Sequence, residues 1–148
     1  MLYLEDFRPG DVRDFGSRTI GHDEIIAFAR EFDPQYFHID PEAAKESNFG
    51  GLVASGWHTV SLTCRMFIDN LLGQAAVMGG IGSDAIRWLR PVRPGDTLSV
   101  RATVLEHRRS QSKPDRGSVH LRLETFEQSG ERVMTMTVTA LVRARPAD

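Results

Sequence analysis

Gly56-Trp57-His58-Thr59-Val60-Ser61-Leu62-Thr63-Cys64-Arg65-Met66-Phe67-Ile68-Asp69-Asn70-Leu71-Leu72 is the stretch whose reading decides the fold. Trp57, Val60, Cys64, Phe67, Ile68 and Leu71 fall on one stripe at helical spacing. Leu62 and Met66 add apolar groups on other faces. A helix that is apolar on several sides is normally buried. Residues 56–72 therefore predict a long central helix, ended by Gly73, with Cys64 as a small buried residue inside the stripe.

Beyond it the hydrophobic period changes to two. Ile86 and Trp88 lead into Pro91-Val92-Arg93-Pro94-Gly95-Asp96, a turn by composition. Leu98, Val100, Ala102 and Val104 then alternate with Thr97, Ser99, Arg101 and Thr103. Val119, Leu121 and Leu123 repeat the pattern, and Gln128-Ser129-Gly130-Glu131 marks a hairpin turn. Met134, Met136, Val138, Ala140 and Val142 alternate with Thr135, Thr137 and Thr139, a threonine series that faces either solvent or a dimer or tunnel surface. Strands joined by short turns after one buried helix imply an α+β fold, a curved antiparallel sheet wrapped around that helix. Residues 113–117 read as the loosest loop, and 70–81, with Gly73, Gly79 and Gly80, as a segment whose path decides pocket or tunnel.

Upstream, Ile25, Ile26, Phe28, Ala29 and Phe32 predict a helix over 21–32, with Asp23 and Glu24 in its first turn and Pro34 as its stop. Immediately after it comes Asp33-Pro34-Gln35-Tyr36-Phe37-His38, followed by Ile39-Asp40-Pro41. A carboxylate and an imidazole close together among aromatic residues are the parts of a proton-transfer site. Asp33 stands at a helix C-terminus, where the dipole disfavours its anion, and Phe32, Tyr36 and Phe37 would partly desolvate it. Both effects predict a raised pKa and a stronger base. A short helical turn follows over 41–47, capped by Asp40. Then Gly50-Gly51-Leu52-Val53-Ala54-Ser55-Gly56 runs into the central helix, so amides near Ser55 and Gly56 can face a developing negative charge. Ser61, one turn further, can contact the same site.

Each feature also has a simpler reading. Asp33 can be a turn residue, His38 a satisfied buried histidine, Ser55 a helix cap and Ser61 a packing residue. His58 can merely pack near the helix start, while His22, His107 and His120 read as surface or strand positions. His38 and Asp40 alone are too few for a metal site, so none is expected.

The chain has 148 residues and a hydrophobic fraction of 41%, which fits one domain over 1–148. Net charge is −2 with both signs mixed, which excludes a nucleic-acid footprint. The single cysteine, Cys64, fits a reducing compartment. The acidic start, with Glu5, Asp6, Asp11 and Asp14, is unlike a signal peptide, and no apolar run spans a bilayer. A soluble cytoplasmic protein without membrane contact is expected.

Asp33-x-x-x-x-His38 with Ile39-Asp40, Ser55-Gly56 opening the helix, and Arg87-Trp88-Leu89-Arg90-Pro91-Val92-Arg93-Pro94-Gly95-Asp96 together resemble the MaoC-like acyl dehydratases, also called (R)-specific enoyl-CoA hydratases. The resemblance runs over residues 10–142. It implies the hot-dog fold, a homodimer or higher homo-oligomer, and Asp33 and His38 as the catalytic pair. The family often has asparagine and proline where this chain has Gln35 and Tyr36, and histidine where it has Ser55. The activity implied is reversible addition of water to a 2-enoyl-CoA thioester, giving a 3-hydroxyacyl-CoA. Amides near Ser55 and Gly56 would stabilise the thioester oxygen, and Ser55, Gly56 and Ser61 would bind substrate. No cofactor is expected, since coenzyme A is part of the substrate. Arg87, Arg90 and Arg93 would either meet its phosphates or form ion pairs. Two rivals remain at this point. A hot-dog thioesterase usually carries its carboxylate on the central helix, where only Asp69 is available. A non-catalytic acyl-CoA-binding subunit would not need both Asp33 and His38.

Overall fold

The alternating C-terminal half folds as the alternation dictates. In the computed structural model, which describes residues 1–147, β2 (Val77–Trp88), β3 (Thr97–Arg109), β4 (Arg116–Phe126) and β5 (Arg132–Arg143) join β1 (Val12–Thr19) in one antiparallel sheet. The strand order is β1-β3-β4-β5-β2, so β1 and β2 form the edges. Leu98, Val100, Ala102 and Val104 of β3 and Val119, Leu121 and Leu123 of β4 point inward, as their period of two requires.

Four helices precede the sheet or lie on it: α1 (His22–Phe32), α2 (Tyr36–Ile39), α3 (Pro41–Ala44) and α4 (Gly56–Asn70). α4 is the central helix, ending two residues short of the expected stop, and a short 3-10 turn over Leu72–Gln74 leads to β2. The segment 70–81 therefore continues into the sheet edge. Asp40 caps α3 by accepting from the amides of Glu42 and Ala43, both at 3.1 Å. Among the described residues no helix is long and apolar enough to cross a membrane.

Two expectations are corrected. The first concerns which face of α4 is buried. His58, Thr59, Leu62, Thr63, Met66 and Phe67 face inward, whereas Trp57, Cys64 and Ile68 are exposed. Half of the expected stripe, Trp57, Cys64 and Ile68, thus lies off the core, while Phe67 and Leu71 join it and Val60 packs against it. Thr63 can face inward because its hydroxyl meets that of the fully buried Thr125 on β4 at 2.7 Å, so a polar residue is satisfied inside the core. The second correction is β1, which the sequence did not announce. Its residues are nearly all exposed, and it is held at the edge by pairing with β3. There Asp14 lies directly opposite Arg101, with Nε to Oδ1 at 2.7 Å.

Candidate active site

Asp33 is the C-cap of α1, its amide bonded to the Ala29 carbonyl at 2.8 Å. Pro34 ends the helix there, and the chain turns into α2, a single turn that carries His38 back beneath the acid. Asp33 Oδ2 and His38 Nε2 stand 3.4 Å apart. His38 is buried, and Phe37 packs edge-on against its ring at 4.6 Å. The other ring nitrogen, Nδ1, lies 2.6 Å from the Val53 carbonyl oxygen. A carbonyl can only accept, so Nδ1 carries the proton there, and in the neutral ring Nε2 presents a lone pair toward Asp33.

The carboxylate is equally constrained. Ser55 Oγ donates to Oδ2 at 2.7 Å and Gln35 Nε2 donates to Oδ1 at 2.8 Å. Burial pushes the Asp33 carboxyl up, but the Ser55 and Gln35 hydrogen bonds and the charge on His38 outweigh it, leaving it below the ordinary aspartate value. This reverses the expectation of a raised pKa. The helix end is present as anticipated, but of the three aromatic neighbours only Phe37 lines the cleft with Asp33 while Phe32 and Tyr36 are exposed, and two donors, one of them contributed 22 residues downstream, stabilise the anion more.

Asp33, His38 and Gly56 line one cleft of about 460 Å³, walled by Phe37, Phe49, Trp57 and Trp88. Gly56 is the first residue of α4, so its amide has no acceptor within the helix and is available to a ligand oxygen. A side chain here would collide with the Trp88 indole, which lies directly over this glycine. Trp57 meets Trp88 edge-on at 5.2 Å. Ser55 is fully buried and bonds Asp33 instead of lining the cleft. Ser61 is directed elsewhere, donating to the Trp57 carbonyl at 2.8 Å on the exposed side of α4. The structure thus gathers Asp33, His38, Ser55 and Gly56 and leaves Ser61 apart.

The remaining polar residues fall as follows. Arg90 lines the cleft and pairs with Glu131 at 3.1 Å. Arg93 donates to the Phe49 carbonyl at 2.7 Å, and Arg87 to that of Ile86 at 2.9 Å. His58, in the first turn of α4, is buried and stacked on Phe28 of α1 at 4.4 Å, with Nδ1 lacking a partner among the described residues. Asp69 is bound to Arg65 at 2.7 Å near the far end of α4. Val53, Gln35 and Trp88 stand within the quoted sequence motifs, but sequence reasoning gave none of them a role in the site. Gln35, two residues from Asp33, carried a local signal; Val53 and Trp88 carried none, because only the tertiary fold brings them in.

Comparison with known proteins identifies the family and the fold. The family model described as "MaoC like domain" matches residues 6–126. The crystal structure of the MaoC-like dehydratase from Rhodospirillum rubrum is 44% identical and superposes with a TM-score of 0.90, covering 99% of this chain and 100% of that one. Protein MaoC of Klebsiella aerogenes is 36% identical over 113 residues, which are 73% of this chain but 33% of that protein. R-hydratase PhaJ1 from Pseudomonas aeruginosa, unliganded, shares the fold at 22% identity and a TM-score of 0.74, over 99% of this chain and 92% of that one. An antiparallel sheet wrapped around a central helix and a family match over most of the chain converge on one conclusion: this chain belongs to the MaoC-like domain family and adopts its hot-dog fold.

Proposed function

We propose that this protein adds water reversibly to the double bond of a 2-enoyl-CoA thioester to give a 3-hydroxyacyl-CoA, with Asp33 and His38 as the catalytic dyad. Membership of a family whose relatives include a dehydratase supports the hydro-lyase class. The observation that carries the finer reading is that the Asp33 carboxylate and the His38 imidazole face each other across 3.4 Å in one cleft. When the imidazole is neutral, its Nε2 lone pair and the carboxylate cannot bond one another directly. A water molecule can donate one proton to each, which leaves its own lone pairs turned toward the cleft.

The chemistry follows from that arrangement. The water oxygen bonds to C3 as one of its protons passes to the dyad. The C2–C3 π electrons move onto the thioester, giving it enolate character. The dyad then returns a proton to C2. The Gly56 amide, at the positive end of α4, donates to the enolate oxygen. Loss of one such donor typically costs about 3 kcal/mol in barrier. No cofactor enters, because the activating thioester belongs to the substrate. Asp69, the acid a thioesterase on this helix would use, is paired with Arg65 and lies outside the cleft. A second copy of the chain would cover the exposed apolar side of α4, giving a homodimer.

Purified protein mixed with crotonyl-CoA tests this, following enoyl-thioester absorbance with a parallel assay for free thiol. Absorbance loss without thiol release is the expected outcome. Thiol release would establish a thioesterase instead. Silence across a panel of acyl-CoA thioesters would leave the binding-subunit role.

A further inference from the structure

We propose that Ser55 is a positioning residue for this reaction: its hydroxyl fixes Asp33 Oδ2 opposite His38 Nε2 and ties that carboxylate to the first turn of α4. The inference rests on the hydratase reading for its effect on rate, but not for its structural content.

Capping a helix uses only a lone pair of the cap hydroxyl, and Ser55 Oγ accepts from the Trp57 amide at 3.2 Å. Its proton is left over, and it goes to Asp33 at 2.7 Å, the shorter and charge-assisted bond of the two. Both partners being engaged, Ser55 has no donor left for a substrate oxygen. The residue is fully buried, so no water competes for either bond. Its backbone is fixed as well, since the Ser55 carbonyl accepts from the amides of His58 at 3.0 Å and Thr59 at 3.2 Å.

The chain of donors has a direction. The Trp57 amide polarises the hydroxyl, and the hydroxyl polarises toward the carboxylate, so the positive helix end acts on Asp33 through Ser55. Two residues earlier, the Val53 carbonyl orients His38 through Nδ1. One short segment before α4 therefore holds both members of the dyad, and the next residue, Gly56, presents the amide for the thioester oxygen. Movement of this segment would displace all three together.

The test uses three variants in the full-length protein. Ser55→Ala removes cap and hydroxyl. Ser55→Gly removes the hydroxyl while costing little as a cap. Ser55→Thr keeps both functions. Two readouts are taken: steady-state hydration of crotonyl-CoA, and titration of the Asp33 carboxyl by ¹³C NMR. In Ser55→Ala and Ser55→Gly, kcat falls roughly 10- to 100-fold with KM nearly unchanged, the loss of one hydrogen bond to a charged group. The Asp33 titration moves upward in both, and Ser55→Thr retains the wild-type titration. Unchanged titration and kcat in Ser55→Gly would overturn the proposal. So would a rise in KM alone, which would mean that Ser55 meets substrate directly. If the wild-type protein shows no hydration, the hydratase reading fails, while the titration still decides whether Ser55 governs Asp33.

Discussion

Asp33 shows how a local argument can have the right parts and the wrong sign. The helix end and the aromatic neighbours are both legible within a few residues. The donor that reverses their effect, Ser55, lies 22 positions away and reaches Asp33 only after α4 is seated. The sign has a pH consequence. A carboxyl whose folded value is depressed contributes stability above the ordinary aspartate value, about 3.9, and loses it as pH falls below that. Gln35→Leu removes one of its donors without touching the core. The Asp33 titration then rises, which ¹³C NMR reads directly, and an unchanged titration would show that Gln35 contributes nothing. His58 supplies a second test. Burial holds its imidazole below the ordinary value, with Glu24 opposing and Arg18 assisting. The unfolded chain takes up the proton more readily, so this group favours folding fully above about pH 6.5 and less as pH falls through that value. His58→Phe, which keeps the stack on Phe28, should flatten the decline in Tm between pH 7 and 5.

At the scale of elements, β3, β4 and β5 were legible because one buried face imposes a period of two. α4 was legible as a helix, but its orientation was not. Its length is apolar on more than one side, and hydrophobicity alone selected a stripe of which the fold leaves half exposed. The inner face is seated by Leu62, Met66 and Phe67, and a hydroxyl pair, Thr63 with Thr125, is satisfied within it. Thr63→Val leaves the buried Thr125 hydroxyl unsatisfied and should cost about 1–3 kcal/mol in denaturant unfolding. The double variant with Thr125→Val removes both polar groups and should recover much of that loss. The β1 edge was invisible for the opposite reason: with both faces mostly exposed, it carries no alternation to read. The start of α4 makes a further prediction. Gly56→Ala forces the Trp88 indole aside, an overpacking that costs about 1–3 kcal/mol. Adding Trp88→Ala should relieve that strain, so the melting temperatures of the two single variants and the double variant will not be additive.

At the scale of the molecule, sheet, helix and dyad form one device. The sheet wraps α4, the helix presents its N-terminus to the cleft, and α1 and α2 bring the acid and the imidazole to that end. The apolar side chains Trp57 and Ile68 of α4 and Ile81 on the edge strand β2 remain exposed in the single chain. They match the expectation of a second copy more closely than that of a solvated surface. Sedimentation should therefore return about twice the chain mass of 16.6 kDa. Ile68→Glu combined with Ile81→Glu should shift it toward the monomer. A monomeric wild-type protein would refute the dimer.

The central claim is that Asp33 and His38 act on one water as a unit, and the rate of crotonyl-CoA hydration in Asp33→Asn, His38→Ala and the double variant tests it most directly. Each single variant should lower kcat/KM by roughly 10²- to 10⁴-fold, with thermal stability confirming the fold. The double variant should be scarcely worse than either single one, because a pair that works together is lost once. Near-normal hydration by either single variant, or losses that multiply in the double, would contradict the account.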